Sequence, residues 1–184
     1  LTQDQLIKKC IKNNRAAQSE LFKQYKDTLY FLSLKYCRNQ ADAEDNLHDS
    51  FMTIFDKIKN YRHGGSFEGW MKRITIFKAI DKYKTKKPLA IEINDDILTD
   101  NVTIEKELAY ISIDTLLSII QELPDQYRLV FNLYQLDGFS HKEISVMLNI
   151  TESTSKSNYH RAKLKLRDKI NAFRNTPNAK AYEN

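Results

Sequence analysis

The stretch LDGFSHKEISVMLNITESTSKSNYHRA, Leu136 to Ala162, contains one helix stop and two helix starts in a single run. Gly138 suits the left-handed conformation that ends a helix. Ser140 is a good N-cap, and Glu143, three residues on, completes a capping box. The helix so started, His141 to Leu148, is short and buries Ile144 and Leu148. Asn149 stands where a tight turn is wanted, and Asn tolerates positive φ better than most other residues. Ile150 plugs the turn. Thr151 caps the next helix, with Thr154 rather than an acid at its third position. Helix, short turn and helix with an apolar plug predict a helix-turn-helix.

The helix that follows divides into faces. Ser155, Tyr159, Ala162 and Leu166 share one side. Ser153, Lys156, Ser157, His160 and Arg161 are left for another. Short polar and cationic side chains near the start of a second helix are what major-groove reading requires. Arg donates two bonds to a guanine edge, Lys reaches guanine or phosphate, and Ser lets the helix approach. Lys163, Lys165, Arg167 and Lys169 contact phosphates or stay in solvent. An ordinary solvated helix suits any one of these residues equally well; the unit as a whole favours DNA. Ser155 occupies a position where such units bury an aliphatic residue, and Ser145 one where they carry a small apolar residue. Both are expected to weaken the packing slightly.

Working outward, apolar residues recur at helical spacing along the chain. The stripes are Leu21, Tyr25, Leu29, Leu32 and Tyr36; then Leu47, Phe51, Ile54 and Ile58; then Phe67, Trp70, Ile74, Phe77 and Ile80. Ile113, Leu116, Ile120 and Leu123 form another that ends before Pro124, and Tyr127, Val130, Phe131 and Tyr134 follow. Four Gly and three Pro in 184 residues exclude collagen-like and Pro/Gly-rich disordered classes and argue against a turn-rich all-β chain. The fold class predicted is all-α.

Charge falls in blocks. Ala41 to Asp56 has five acids and no Lys or Arg; Lys57 to Lys87 has ten Lys or Arg against two acids. Glu92 to Glu107 has six acids against one base, and Lys156 to Lys180 eight bases against one acid. Two basic bodies in separate halves are harder to dismiss as solvated faces than one, because both can face a single polyanion. Pro88 disfavours helix at Lys87, and Asn94-Asp95-Asp96 is turn-like. The expected organisation is a first body at 1–88, an acidic linker at 89–109, a second body at 110–175 and a frayed tail at 176–184.

No paired acids, phosphate loop or metal cluster stands out, so no catalysis, cofactor or metal is expected. Cys10 and Cys37 lie far apart and are read as small buried hydrophobes. No run approaches the roughly 18 apolar residues of a membrane span, and the first residues lack a signal-peptide core. A soluble cytoplasmic protein is expected.

The order of these parts resembles the extracytoplasmic-function sigma factors, the smallest group of the sigma-70 family of bacterial RNA polymerase subunits. Leu123-Pro124-Asp125-Gln126-Tyr127-Arg128, then Leu136 to Ile144, then His160-Arg161-Ala162-Lys163 are similar to the family's fourth region. Asp42-Ala43-Glu44-Asp45 leading to Phe51 resembles its polymerase-binding helix. Phe67, Trp70, Arg73-Ile74 and Ala79-Ile80-Asp81 look like its promoter-opening helix. The resemblance covers about 3–87 and 110–172.

It implies two small helical domains joined by a flexible linker, and a division of labour. Asp45, His48, Asp49, Met52 and Asp56 would dock core RNA polymerase. The loop Tyr61-Arg62-His63-Gly64-Gly65-Ser66 would hold an extruded base of the minus-ten element, with Arg62, His63 and Ser66 near the base edge. Arg73, Lys78, Lys82 and Lys84 would lie along the melted non-template strand. The second body would read the minus-thirty-five duplex, and an anti-sigma factor would hold the protein inactive. Phe77 departs from the Asn usual in the family. The competing reading is a helix-turn-helix regulator whose first body senses a ligand or dimerises.

Overall fold

The computed structural model describes residues 2–62, 64–86 and 111–174. The linker, the tail, Pro88 and His63 lie outside the described residues. The chain divides between Lys86 and Lys87 into two compact units. Among the described residues there is no strand.

In the first unit each helix starts on a side-chain oxygen. Thr2 opens α1 (Gln3–Ile11) in a capping box with Gln5. Asn14 accepts from the Ala17 N–H to open α2 (Arg15–Tyr36), and Asn39 from the Asp42 N–H to open α3 (Gln40–Lys57). Each such cap contributes about 1 kcal/mol over alanine. A 3-10 turn, Ile58–Asn60, ends α3, and α4 runs over Phe67–Lys86. Helices α2, α3 and α4 pack on one another, and α1 closes against α2. Leu6, Ile7, Cys10, Leu21, Leu29, Phe51, Ile54, Ile58, Phe67 and Met71 form the core. Each fully buried large aliphatic or aromatic side chain contributes roughly 1.5–3 kcal/mol.

One polar node interrupts this core. Asn46 is buried and donates from Nδ2 to Ser33 Oγ at 3.0 Å and to the Thr75 carbonyl at 3.3 Å. Its amide thereby ties α3 to both α2 and α4, which satisfies a group that would otherwise be costly to bury.

In the second unit, Ser112 caps α5 (Ile113–Gln121). Pro124 then starts α6 (Asp125–Phe131), which continues into a π-helical segment, Asn132–Leu136. Gly138 ends it at φ 73. The predicted capping box forms: Ser140 and Glu143 bond reciprocally and open α7 (His141–Leu148). Asn149 ends α7 at φ 56, in the left-handed region. The Thr154 N–H then donates to Thr151 Oγ1 at the start of α8 (Glu152–Arg174). Ile119, Ile120, Leu123, Phe131, Ala162, Leu166 and Ile170 make the core beneath α8.

Three stripes differ from expectation: on the one that runs from Tyr127, Tyr134 is 37% exposed. Helix α4 buries Phe67, Met71, Thr75, Ile76, Ala79, Ile80 and Tyr83, while Trp70, Ile74 and Phe77 are half-buried. Its inward face is wide because it packs on two neighbours, so Ile74 and Phe77 fall at the edge. In α5 the buried pair is Ile119 and Ile120, and Ile113 is 63% exposed.

Candidate nucleic-acid interface

Helix α8 divides into a buried and an outward face. Ser155, Asn158, Ala162, Leu166 and Ile170 are buried. Ser153 and Lys156 are exposed, and Ser157, His160 and Arg161 half-exposed. The five residues singled out from the sequence thus share the outward side of the first three turns, beside a capped N-terminus whose dipole favours anions. Of the cations further along, Lys169 pairs with Glu122, which caps the C-terminus of α5. Lys163 lies over the Tyr159 ring, 4.7 Å from its centroid. These two have partners within the unit.

Ser155 does not leave its hydroxyl unpaired in the core. Its hydroxyl, fully buried, shares a 2.9 Å hydrogen bond with His141 Nδ1 from the first residue of α7. Ser145 donates to the Lys142 carbonyl at 2.7 Å.

In the first unit the acids fall on one outer face of α3. Asp45, His48, Asp49, Met52 and Asp56 are all exposed, Met52 at 61%. An exposed Met among carboxylates offers an apolar contact ringed by negative charge. A groove of about 510 Å³ runs between α3 and α4. Met52, Thr53, Asp56 and Lys57 line it from one side, and Ile74, Phe77, Lys78 and Asp81 from the other. It brings Met52 and Asp56 together with Lys78, two sets that the sequence assigned to different tasks.

The loop before α4 is built on Tyr61. Its ring packs on Phe67 and Trp70, with centroids 5.1 and 5.4 Å away. Its hydroxyl donates to the Gly65 carbonyl. Arg62 and Ser66 are exposed beside it. The Ser66 hydroxyl oxygen also caps α4, accepting from the Gly69 N–H at 3.0 Å. A Cβ at Gly64 or Gly65 meets nothing within 4 Å, so no steric crowding inside the unit excludes a side chain at either position. Along α4, Arg73 is exposed and lies over the Phe77 ring at 6.0 Å. Lys84 is half-exposed.

Lys82 stands apart from the other α4 cations. Its ammonium sits 2.9 Å from Asp42 and 3.7 Å from Asp45. Burial works against its charge, but the hydrogen bond and charge of Asp42 outweigh that and raise its pKa above the usual 10.5. The pair fastens α4 to the start of α3.

Residues 113–166 match the family described as sigma-70, region 4, and residues 21–88 match sigma-70 region 2. The chain is 32% identical over 134 residues to RNA polymerase sigma factor SigZ of Bacillus subtilis, covering 70% of this chain and 73% of that protein. The chain belongs to the sigma-70 family of RNA polymerase sigma factors.

Within that family its relatives include extracytoplasmic-function members. SigE of Mycolicibacterium smegmatis is 32% identical over 157 residues, 81% of this sigma factor and 60% of that protein. SigW of Bacillus subtilis is 29% identical over 187 residues, 91% of this chain and 98% of its own. A solved structure, CnrH in complex with the cytosolic domain of CnrY, shares the fold. Its TM-score is 0.50 at 18% identity, over 91% of this chain and 96% of that one. The region 2 match spans most of the first body, which the competing regulator reading left to sensing or dimerisation. No helix among the described residues is long and apolar enough to cross a membrane.

Sequence reasoning missed three residues that shape this sigma factor. Arg128 is 1% exposed and supports the turn between α5 and α6. Asn46 carries the polar node of the first core. His141 joins α7 to α8. Asn46, lying beside the apolar stripe of α3, was a legible signal; His141 meets a partner on another helix, and Arg128 reaches back across the turn to the Gln121 and Leu123 carbonyls.

Proposed function

We propose that this sigma factor divides its work between its units as follows, and that it performs no catalysis of its own. The exposed face of Asp45, His48, Asp49, Met52 and Asp56 docks core RNA polymerase. The loop carrying Arg62, His63 and Ser66 holds an unstacked minus-ten base, and Arg73, Lys78 and Lys84 run beside the melted strand. Lys82 contributes by fixing α4 rather than by contacting DNA. Ser153, Lys156, Ser157, His160 and Arg161 read the minus-thirty-five duplex. The protein works in the cytoplasm, and an anti-sigma partner covers these faces when it is inactive. The bodies at 1–88 and 110–175 act as separate DNA-binding modules on the linker between them.

The observation that carries this reading is the outward set on α8, presented beside a capped helix start with the opposite face sealed in the core. Binding single-stranded bases favours the melted state by the preference for the unpaired form. The test is reconstituted transcription with core polymerase. Added protein is expected to direct initiation at promoters recovered by genomic footprinting. Loss on replacing Met52 and Asp49, with duplex binding retained, assigns the α3 face; unchanged polymerase binding overturns that assignment.

A further inference from the structure

His141 is the first residue of α7, and Ser155 lies in the first turn of α8. Their side chains meet at 2.9 Å across the turn, so one bond ties the starts of two helices together. The His141 ring is also clamped. Tyr134, from the π-helical segment, stacks on it at 4.2 Å with the planes 12° apart. Tyr159, one turn beyond Ser155, packs on Tyr134 at 4.6 Å and bonds Gln135 through its hydroxyl. Three elements therefore converge on one imidazole. Burial lowers the His141 pKa below the usual 6.5, Lys156 lowers it further and Glu152 opposes them, a shift that favours the neutral ring. A neutral ring keeps both a donor and an acceptor nitrogen.

Ser155 is flanked on α8 by the residues proposed to touch DNA, Lys156 and Ser157 next to it and His160 and Arg161 one turn on. Bidentate bonds to base edges weaken steeply with misalignment, whereas phosphate attraction tolerates it. We propose that the His141–Ser155 bond is a positioning element that sets the angle at which α8 enters a duplex, and thereby the discrimination between base sequences. This rests on the reading of α8 as the duplex-binding helix.

The test uses the full chain with core polymerase and two labelled duplexes. One is enriched by the wild type from a random-sequence pool, and the other is its scrambled counterpart. Four proteins are compared with the wild type: S155A, H141F, their double variant and H141Q. H141F keeps a ring on Tyr134 and removes the nitrogens; H141Q restores polar atoms. S155A and H141F are each expected to weaken binding to the enriched duplex about fivefold to tenfold. Binding to the scrambled duplex stays unchanged. The double variant is no worse than either single, and H141Q recovers part of the loss.

Unchanged discrimination in S155A overturns the proposal, as does an additive double variant. A parallel fall on both duplexes also overturns it, since that marks loss of folded protein rather than of angle. If H141F does not fold, S155A against the wild type decides by the same criteria. A wild type that enriches no duplex overturns the reading of α8 itself, and the proposal with it.

Discussion

Arg128 and Asp125 form an ion pair inside the second unit, with the guanidinium 1% exposed and the carboxylate one turn away. The same guanidinium donates to the carbonyl oxygens of Leu123 at 2.8 Å and Gln121 at 3.2 Å. Those are carbonyls at the end of α5, which no further turn of helix can satisfy. The Leu-Pro-Asp-Gln-Tyr-Arg run is therefore a self-contained corner: Pro starts α6, and Arg closes α5.

Arg128→Ala is expected to destabilise the second unit by about 3–5 kcal/mol, because it removes the cation from a half-buried carboxylate and the donor from two carbonyls. Arg128→Lys recovers little, since an ammonium lacks the planar fork. Urea unfolding followed by circular dichroism checks both. A loss below about 1 kcal/mol for Arg128→Ala contradicts the corner's role.

The effect of Gly69→Ala depends on Ser66. A Cβ at Gly69 falls 2.8 Å from Ser66 Oγ, the atom that caps α4. Gly69→Ala therefore pushes the cap aside and gives back the roughly 1 kcal/mol that alanine gains in a helix. In a Ser66→Ala background the obstacle is gone, and the same Gly69→Ala substitution stabilises. Thermal melts of the four proteins in the cycle measure this; additive effects refute it.

Acid should loosen the second unit in a defined direction. The folded His141 pKa lies below the unfolded 6.5, chiefly through burial and then Lys156. The folded state therefore binds fewer protons, and stability is present above pH 6.5 and lost as pH falls through the folded value. Equilibrium unfolding across that window is expected to be steeper in the wild type than in His141→Phe. Equal slopes count against it.

Salt separates the two kinds of α8 cation. If Lys156 neutralises a phosphate, Lys156→Ala reduces the slope of log affinity against log salt by about 0.9. If Arg161 meets a base edge, Arg161→Ala costs about 1–3 kcal/mol on the enriched duplex and relaxes preference at one position. Lys169→Ala, whose ammonium already has Glu122, moves neither. Titrations at several salt concentrations distinguish the three.

The helix-turn-helix was legible in the chain because its signals are local. Gly138, Ser140, Glu143, Asn149 and Thr151 each act within a few residues, and all five do what their chemistry predicts. The fold class followed from spacing of the same short range. What was hidden depends on partners distant in sequence. Lys82 reads as one more cation of a basic helix until Asp42, forty residues earlier, is brought beside it. Ser155 reads as a flaw until His141 meets it. Phe77 reads as core because one helix period cannot tell a wide inward face from its margin. The outward set on α8 was legible as a face, while the roles of its members rest on chemistry that binding experiments must supply.

The trough between α3 and α4 has a consequence for how such a chain evolves. Met52 and Asp56 on one bank, and Phe77 and Lys78 on the other, share the same walls. On the roles proposed for them, a substitution that retunes the fit to a divergent polymerase also reshapes the surface offered to an opened promoter. The two specificities of this unit are therefore inherited together, and lineages that alter one should carry compensating changes across the trough.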